Sequence, residues 1–150
     1  MKTPNYTYLR KARIEDVDNI VCCIASALDD FKEMSQSQHF FSRAVLQEIL
    51  NDEKFHYFIA ELRTEVIGVI AYKEPAHIYH FFIHSTVQGR GLGAQILNQI
   101  LEIIKKNQVN LITVNASLNS VLFYEKFGFI QKSGIESTED MKFIKMEKAI

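Results

Sequence analysis

The sequence has little cysteine, no excess of either charge and no long apolar run, and each shortage closes off a class of protein. Its only cysteines, Cys22 and Cys23, are adjacent within a stretch of helical periodicity. Neighbouring helical side chains point in different directions, so this pair is not expected to bridge. Two small buried hydrophobes in a reducing compartment are expected instead. The 17 Lys and Arg residues are balanced by 18 Asp and Glu, leaving a net charge of −1. A nucleic-acid binder carries a basic excess or stripe, and neither is present. No apolar stretch approaches the ~20 residues of a membrane span. The opening Met1-Lys2-Thr3-Pro4-Asn5 leads into a strand-like segment without the apolar centre of a secretory signal. A cytoplasmic protein is expected, with neither nucleic acid nor membrane as partner.

What is present is ordinary globular composition, 47% hydrophobic and 23% charged over 150 residues. That length suits one core that needs no covalent staple, so residues 1–150 are expected to form a single domain. No internal repeat, low-complexity tract or linker interrupts it.

Periodicity supplies the elements. Tyr6–Arg10 is rich in β-formers and reads as a strand. Asp16–Leu28 places Val17, Ile20, Val21, Ile24 and Leu28 at helical spacing. The polar stretch around residues 29–39 reads as a loop or irregular helix, and a second helix is expected near Arg43–Leu50. Phe55–Leu62 and Val66–Tyr72 flank Arg63-Thr64-Glu65, a length that suits a hairpin. The second run is nearly all apolar, as in a strand covered on both faces. After Pro75, Ile78–Ile83 reads as a strand. A Gly-rich turn then opens a helix with Ile96, Leu97, Ile100, Leu101 and Ile104 on one face, fading at Lys105-Lys106-Asn107. Leu111–Val114 completes a βαβ unit. A short helix from Leu118 to Phe127 has Ser117 as N-cap and Gly128 just past its end. Phe129–Ser133 and Met141–Met146 close the chain as strands. The fold class is α/β, a mixed sheet with helices packed on it.

Gln88-Gly89-Arg90-Gly91-Leu92-Gly93-Ala94 joins the strand directly to the amphipathic helix. Glycines let the backbone take positive φ and approach a ligand closely. The unpaired N–H groups of the first helical turn face outward at the positive end of the helix dipole, an arrangement that holds phosphate. A Walker A loop would need Lys-Ser or Lys-Thr after its last glycine, and Gly93 is followed by Ala94-Gln95. A dinucleotide fold would need an acidic residue about 20 positions on, where Thr113-Val114-Asn115-Ala116 has none. A turn that merely packs strand on helix is the bland alternative.

Gln88-x-x-Gly91-x-Gly93, entered from Phe81-Phe82-Ile83-His84, resembles the Gln/Arg-x-x-Gly-x-Gly/Ala motif of GCN5-related N-acetyltransferases. Ser117 through Phe129, with Phe123-Tyr124-Glu125-Lys126-Phe127-Gly128-Phe129, resembles that family's Asn-x-x-Ala-x-x-Phe-Tyr-Glu-Lys-x-Gly-Phe segment. The likeness is strong across residues 78–129 and diffuse before them. It implies a mostly antiparallel mixed sheet whose one parallel pair, 78–83 and 111–114, splays to hold CoA. Carried over, Phe82 and Ile83 offer main-chain groups to the cofactor. Gln88, Gly89, Arg90, Gly91, Leu92 and Gly93 cradle the pyrophosphate. Ser117 stands where the family often has Asn, Asn119 is a second candidate there, and Lys126 reaches a phosphate.

The implied reaction is acetyl transfer from acetyl-CoA to a primary amine. Tyr124 aligns with the family's general acid; Phe123 and Phe127 are expected to share the buried face and turn Tyr124 elsewhere. His77 is a candidate base, with Glu74 as alternative. A zinc site at His77, His80 and His84 is disfavoured by strand alternation, which puts His77 on the other face. A small-molecule or peptide amine is the expected partner, with a homodimer as a candidate assembly; Asp29, Asp30 and Glu33 could attract a cationic amine, a solvated charge run being the default reading of those residues. A non-catalytic acyl-CoA-binding module of the same fold is the alternative function.

Overall fold

The computed structural model describes residues 7–28, 41–138 and 141–150. Seven strands form one sheet in the order β1-β2-β3-β4-β5-β7-β6. They are β1 (Leu9–Lys11), β2 (Phe55–Leu62), β3 (Glu65–Lys73), β4 (His77–Ile83), β5 (Leu111–Ser117), β6 (Ile130–Ser137) and β7 (Lys142–Ala149). Every pairing is antiparallel except β4 with β5. The helices are α1 (Val17–Leu28), α2 (Arg43–Asn51), α3 (Leu92–Lys105) and α4 (Val121–Lys126).

Each face of the sheet buries its own core. Ile20, Ile24, Leu46 and Ile49 of α1 and α2 pack on Tyr57, Ile59, Val69 and Ala71. On the other face, Ile96, Leu97, Ile100 and Ile104 of α3 pack with Ile70, Ile112, Val114 and Met146, joined by Val121 and Tyr124 of α4. β3 lies between the two layers, and all seven residues from Val66 to Tyr72 are buried. That is why its sequence is continuously apolar rather than alternating.

Local chemistry sets the element ends. Ser42 Oγ accepts the Val45 N–H and caps α2. The hairpin between β2 and β3 needs only two residues, because Arg63 and Thr64 both take positive φ and Glu65 already pairs with Leu62. α4 ends at Gly128, whose φ is +89°. The Gly128 N–H donates to Glu125 O and the Phe129 N–H to Tyr124 O, so the last carbonyls are satisfied.

Several boundaries differ from expectation, β6 and β7 among them, which run on to Ser137 and Ala149. β1 starts at Leu9 because α3 takes the backbone before it: Thr7 N–H donates to Gln95 Oε1 (2.9 Å) and Leu9 N–H to Gln99 Oε1 (3.0 Å). β5 runs on to Ser117, paired with β7 throughout. The helix expected over 118–127 is a 3-10 turn over Leu118–Ser120 followed by α4. Ser117 does not cap it through its side chain; Ser117 Oγ bonds Ser120 Oγ at 2.8 Å. Cys23 is buried as expected, but Cys22 is exposed, on the outer side of α1, and both are free thiols. The stretch at 29–39, with Asp29, Asp30 and Glu33, lies outside the described residues.

α3 approaches the sheet at a glycine. A Cβ on Gly68 would lie 2.7 Å from Ile96 Cδ1 and 3.3 Å from Ile83 Cδ1, and Ile96 is fully buried. Gly68→Ala is therefore expected to cost roughly 1–3 kcal/mol by overpacking. In urea titrations Ile96→Val should recover part of that loss in the double variant. Additive effects of the two substitutions would contradict the contact.

Candidate active site

The site is built where β4 and β5 part. Their parallel ladder has only two pairs, His77↔Thr113 and Ile78↔Val114. Beyond it β4 continues to Ile83 on β3, and β5 continues to Ser117 on β7. The strand edges from Tyr79 and from Asn115 onward thus no longer bond each other. In an antiparallel pair, alternate residues turn their N–H and C=O away from the partner. The His84 N–H donates to Ile67 O, which places Phe82↔Val69 among the bonded pairs and turns Phe81 and Ile83 outward, toward the gap. Phe82, expected to offer main-chain groups to a ligand, instead spends them on Val69. Its ring lies on the α1/α2 face, 5.3 Å from Phe41. Phe81, not singled out from the sequence, is the residue whose main chain faces the gap, and alternation along β4 is the signal that finds it.

On the α3/α4 face a cavity of about 220 Å³ fills this divergence, lined by Phe81, Ile83, Gly93, Ser117, Ser120, Phe123 and Tyr124. Phe81 meets Phe123 edge-on at 5.9 Å, and both rings pack on Gly93, where a Cβ would sit 3.5 Å from Phe123. Tyr124 is 5% exposed, against Phe129 (5.3 Å) and Phe123 (5.4 Å). Tyr124 is therefore the buried ring of α4 and Phe123 and Phe127 are half-buried, the reverse of the expected arrangement. The Schellman turn at Gly128 folds Phe129 back over Tyr124 and draws it inward. Burial pushes the Tyr124 hydroxyl above its ordinary range, so it is a neutral phenol throughout the physiological span.

The Gly-rich turn follows β4 through a short 3-10 segment, Ser85–Val87. Gln88 Nε2 donates to the Ile83 carbonyl (3.0 Å), so its side chain ties the turn to the strand end. Gly89 and Gly91 have φ of +77° and +78°, and Gly91 is the N-cap of α3. A Cβ at either would meet nothing within 4 Å. The glycines are needed for conformation, and their open side is room for a ligand at the helix N-terminus. Arg90 is exposed between them. The Leu92 side chain is buried in the core, leaving its main chain to the turn. Asn119 and Lys126 are exposed on the 3-10 turn and on α4, and neither lines the cavity.

His77 is half-buried in the closed part of the ladder, with Nδ1 2.8 Å from Thr113 Oγ1. Burial, aided by Lys73, lowers its pKa. Glu74 is engaged by His56 Nε2 at 2.9 Å. His80 is buried on the α1/α2 face, its Nδ1 3.0 Å from Tyr57 Oη. The expectation that alternation separates His77 from His80 fails. Ala71 pairs with His80 and Tyr72 with Ile78, so Tyr79 is a bulge that resets the faces. His77 and His80 share the α1/α2 face. Even so, among the described residues no three His, Cys, Asp or Glu side chains are grouped to hold a metal.

Residues 25–150 match the family described as Acetyltransferase (GNAT) domain. The chain belongs to the GNAT acetyltransferase family. An N-acetyltransferase of Methanocaldococcus jannaschii, itself uncharacterized, is 19% identical over 85% of this chain and 62% of its own length. An uncharacterized N-acetyltransferase of Pyropia yezoensis is 36% identical over 37% of this chain and 32% of its own. The chain thus spans less than two thirds of these relatives. A GCN5-related N-acetyltransferase of Rhodopseudomonas palustris superposes with a TM-score of 0.79 at 21% identity, covering 100% of this chain and 99% of that one. The PaiA N-acetyltransferase of Thermoplasma acidophilum, solved in complex with coenzyme A, gives 0.73 at 20% identity, covering 96% and 99%. The likeness establishes the GNAT fold, with its mixed sheet and one parallel pair. No helix among the described residues is long and apolar enough to cross a membrane.

Desolvation brings His80 down to about 4, against an ordinary value of 6.5. A histidine buried neutral favours folding above its unfolded pKa, and that contribution is lost as pH falls toward the folded value. Stability is expected to drop by about 3 kcal/mol between pH 6.5 and 4 on this account. His77 adds to the drop in the same direction. Denaturant midpoints across that window should show the fall, and His80→Phe should flatten most of it.

Proposed function

We propose that this GNAT protein transfers the acetyl group of acetyl-CoA to a primary amine by direct attack within a ternary complex. The observation that carries the reading is the parting of β4 from β5 beside a glycine turn that opens α3. The turn and the cavity fit the group: positive-φ glycines with open space, helix N–H groups and a slot of main-chain donors. Main-chain groups of Gln88 through Gly93, with Arg90, hold the pyrophosphate. Bound acetyl-CoA supplies an activated thioester.

The residues of the chain perform the rest. The N–H groups of Phe81 and Ile83 face the gap and stabilise the developing oxyanion. Tyr124, neutral and on the cavity wall, gives its proton to the departing thiolate. An ordinary thiol titrates near 8.5, so a phenol of raised pKa donates at some energetic cost. Solvent must return that proton promptly. His77 accepts the amine proton through water; the role requires Nδ1–H to donate to Thr113 Oγ1, leaving the Nε2 lone pair free. Lowered basicity keeps it uncharged and ready at neutral pH. A cytoplasmic setting and a small-molecule or peptide amine as acceptor belong to the same reading.

Acetyl-CoA is expected to raise the melting temperature, adding about 2.7 kcal/mol at 100 times its Kd. NADH and ATP, which this turn lacks the residues to recognise, should do so weakly or not at all. A larger shift with NADH than with acetyl-CoA would sink the cofactor assignment.

Tyr124→Phe keeps the ring and removes the proton. Acetyl-CoA binding should be little changed while kcat falls roughly 10²–10⁴-fold. A thioester with a more acidic thiol should lose less. Unchanged turnover, with chemistry limiting the rate, would take Tyr124 out of the mechanism.

A further inference from the structure

The face of β4 opposite Tyr124 carries a buried polar pair that the reaction as described does not use. Tyr57 of β2 and His80 of β4 lie two strands apart and meet over β3, where both pair with Ala71. A larger side chain than alanine there would fill the space between them. Around His80 stand Tyr79, Phe41 and Phe82, with ring centroids at 4.7, 5.1 and 6.0 Å. Burial keeps both partners uncharged, raising Tyr57 and lowering His80.

The direction of their hydrogen bond follows from who has alternatives. Among the described residues the buried Tyr57 hydroxyl has no acceptor other than His80 Nδ1, and a buried donor left without a partner is costly. Tyr57 O–H therefore donates to Nδ1, which fixes the hydrogen of the neutral imidazole on Nε2. No described protein group accepts from Nε2, and His80 keeps 7% of its surface exposed. His80 is one residue from Phe81 and past the last ladder pair at Ile78, so this donor stands at the parted strands, on the side away from the cavity.

We propose that His80 Nε2–H recognises an oxygen carried next to the acceptor amine, so that the preferred acceptors are α-amino carbonyl compounds such as amino acid amides and peptide N-termini. The inference rests on the acetyl-transfer reading above. An uncharged donor among rings suits a carbonyl oxygen better than a carboxylate, whose desolvation costs far more. Phe41 and Phe82, both half-buried, wall the same place and favour an apolar substituent.

The test compares leucinamide with 3-methylbutylamine, which keeps the side chain and amine but lacks the carbonyl. Thiol release from acetyl-CoA is measured for each, with rates expressed per concentration of free amine. The wild type is expected to favour leucinamide in kcat/KM by roughly ten- to hundredfold. His80→Phe should collapse that ratio toward one. His80→Gln, whose side-chain amide reaches a similar position, should keep part of it. A melting shift with acetyl-CoA identifies the variants that are folded and competent to bind. Independently of activity, ¹⁵N NMR of the wild type should show His80 protonated on Nε2, with Tyr57→Phe mixing the tautomers. A wild-type ratio near one with normal acetyl-CoA binding overturns this inference alone, as does an unchanged ratio in His80→Phe or an Nδ1-protonated wild type. Failure of the wild type to bind acetyl-CoA brings down the acetyl-transfer reading and this one with it.

Discussion

The sheet is held open by a ladder that stops after two pairs. β4 is bound along its length by β3, and β5 along its length by β7, so each strand is held in the sheet without the other, although only its alternate residues are paired this way. Where they separate, the N–H and C=O of Phe81 and the N–H of Ile83 face a gap inside the sheet, the Ile83 carbonyl already accepting from Gln88 Nε2. Unpaired strand edges are normally costly or sticky, and proteins cover them. This one keeps an edge in its interior, wedged by Phe81, Phe123 and Tyr124, where an extended ligand can complete the hydrogen bonds. Everything proposed for the chemistry depends on that divergence.

α3 links the gap to the rest of the fold. Its first turn opens at Gly91, its apolar side presses Ile96 onto Gly68 of β3, and its Gln95 and Gln99 hold the backbone at Thr7 and Leu9. One helix therefore carries the glycine turn at its start, sets the depth of the sheet contact and anchors the start of the described chain. The glycine at 68 is a packing requirement. Those at 89 and 91 are conformational ones.

The two faces of β4 divide the work by polarity. On the α3/α4 side Tyr124 stands at a cavity with Ser117 and Ser120. On the α1/α2 side two neutral imidazoles, His77 and His80, are held by the hydroxyls of Thr113 and Tyr57. Desolvation lowers both, so neither carries the charge that would repel a cationic amine. The Tyr79 bulge is what brings both to one face.

The sequence alone determined the elements and their order, because apolar spacing and glycine punctuation are local properties. It also located the glycine turn that opens α3, since Gln88-x-x-Gly91-x-Gly93 can be read without knowing what packs on it, and the family followed from two such stretches. Tertiary contacts decided the rest. Register against β3 gave the gap-facing main chain to Phe81 and Ile83 rather than Phe82. The Gly128 turn buried Tyr124 and left Phe123 and Phe127 at its flanks, inverting what i,i+4 spacing suggested. A single bulged residue reversed the assignment of histidines to faces. The pairing of Tyr57 with His80 spans three strands over the small side chain of Ala71. No spacing along one strand encodes such a contact; it exists only once β2, β3 and β4 lie side by side.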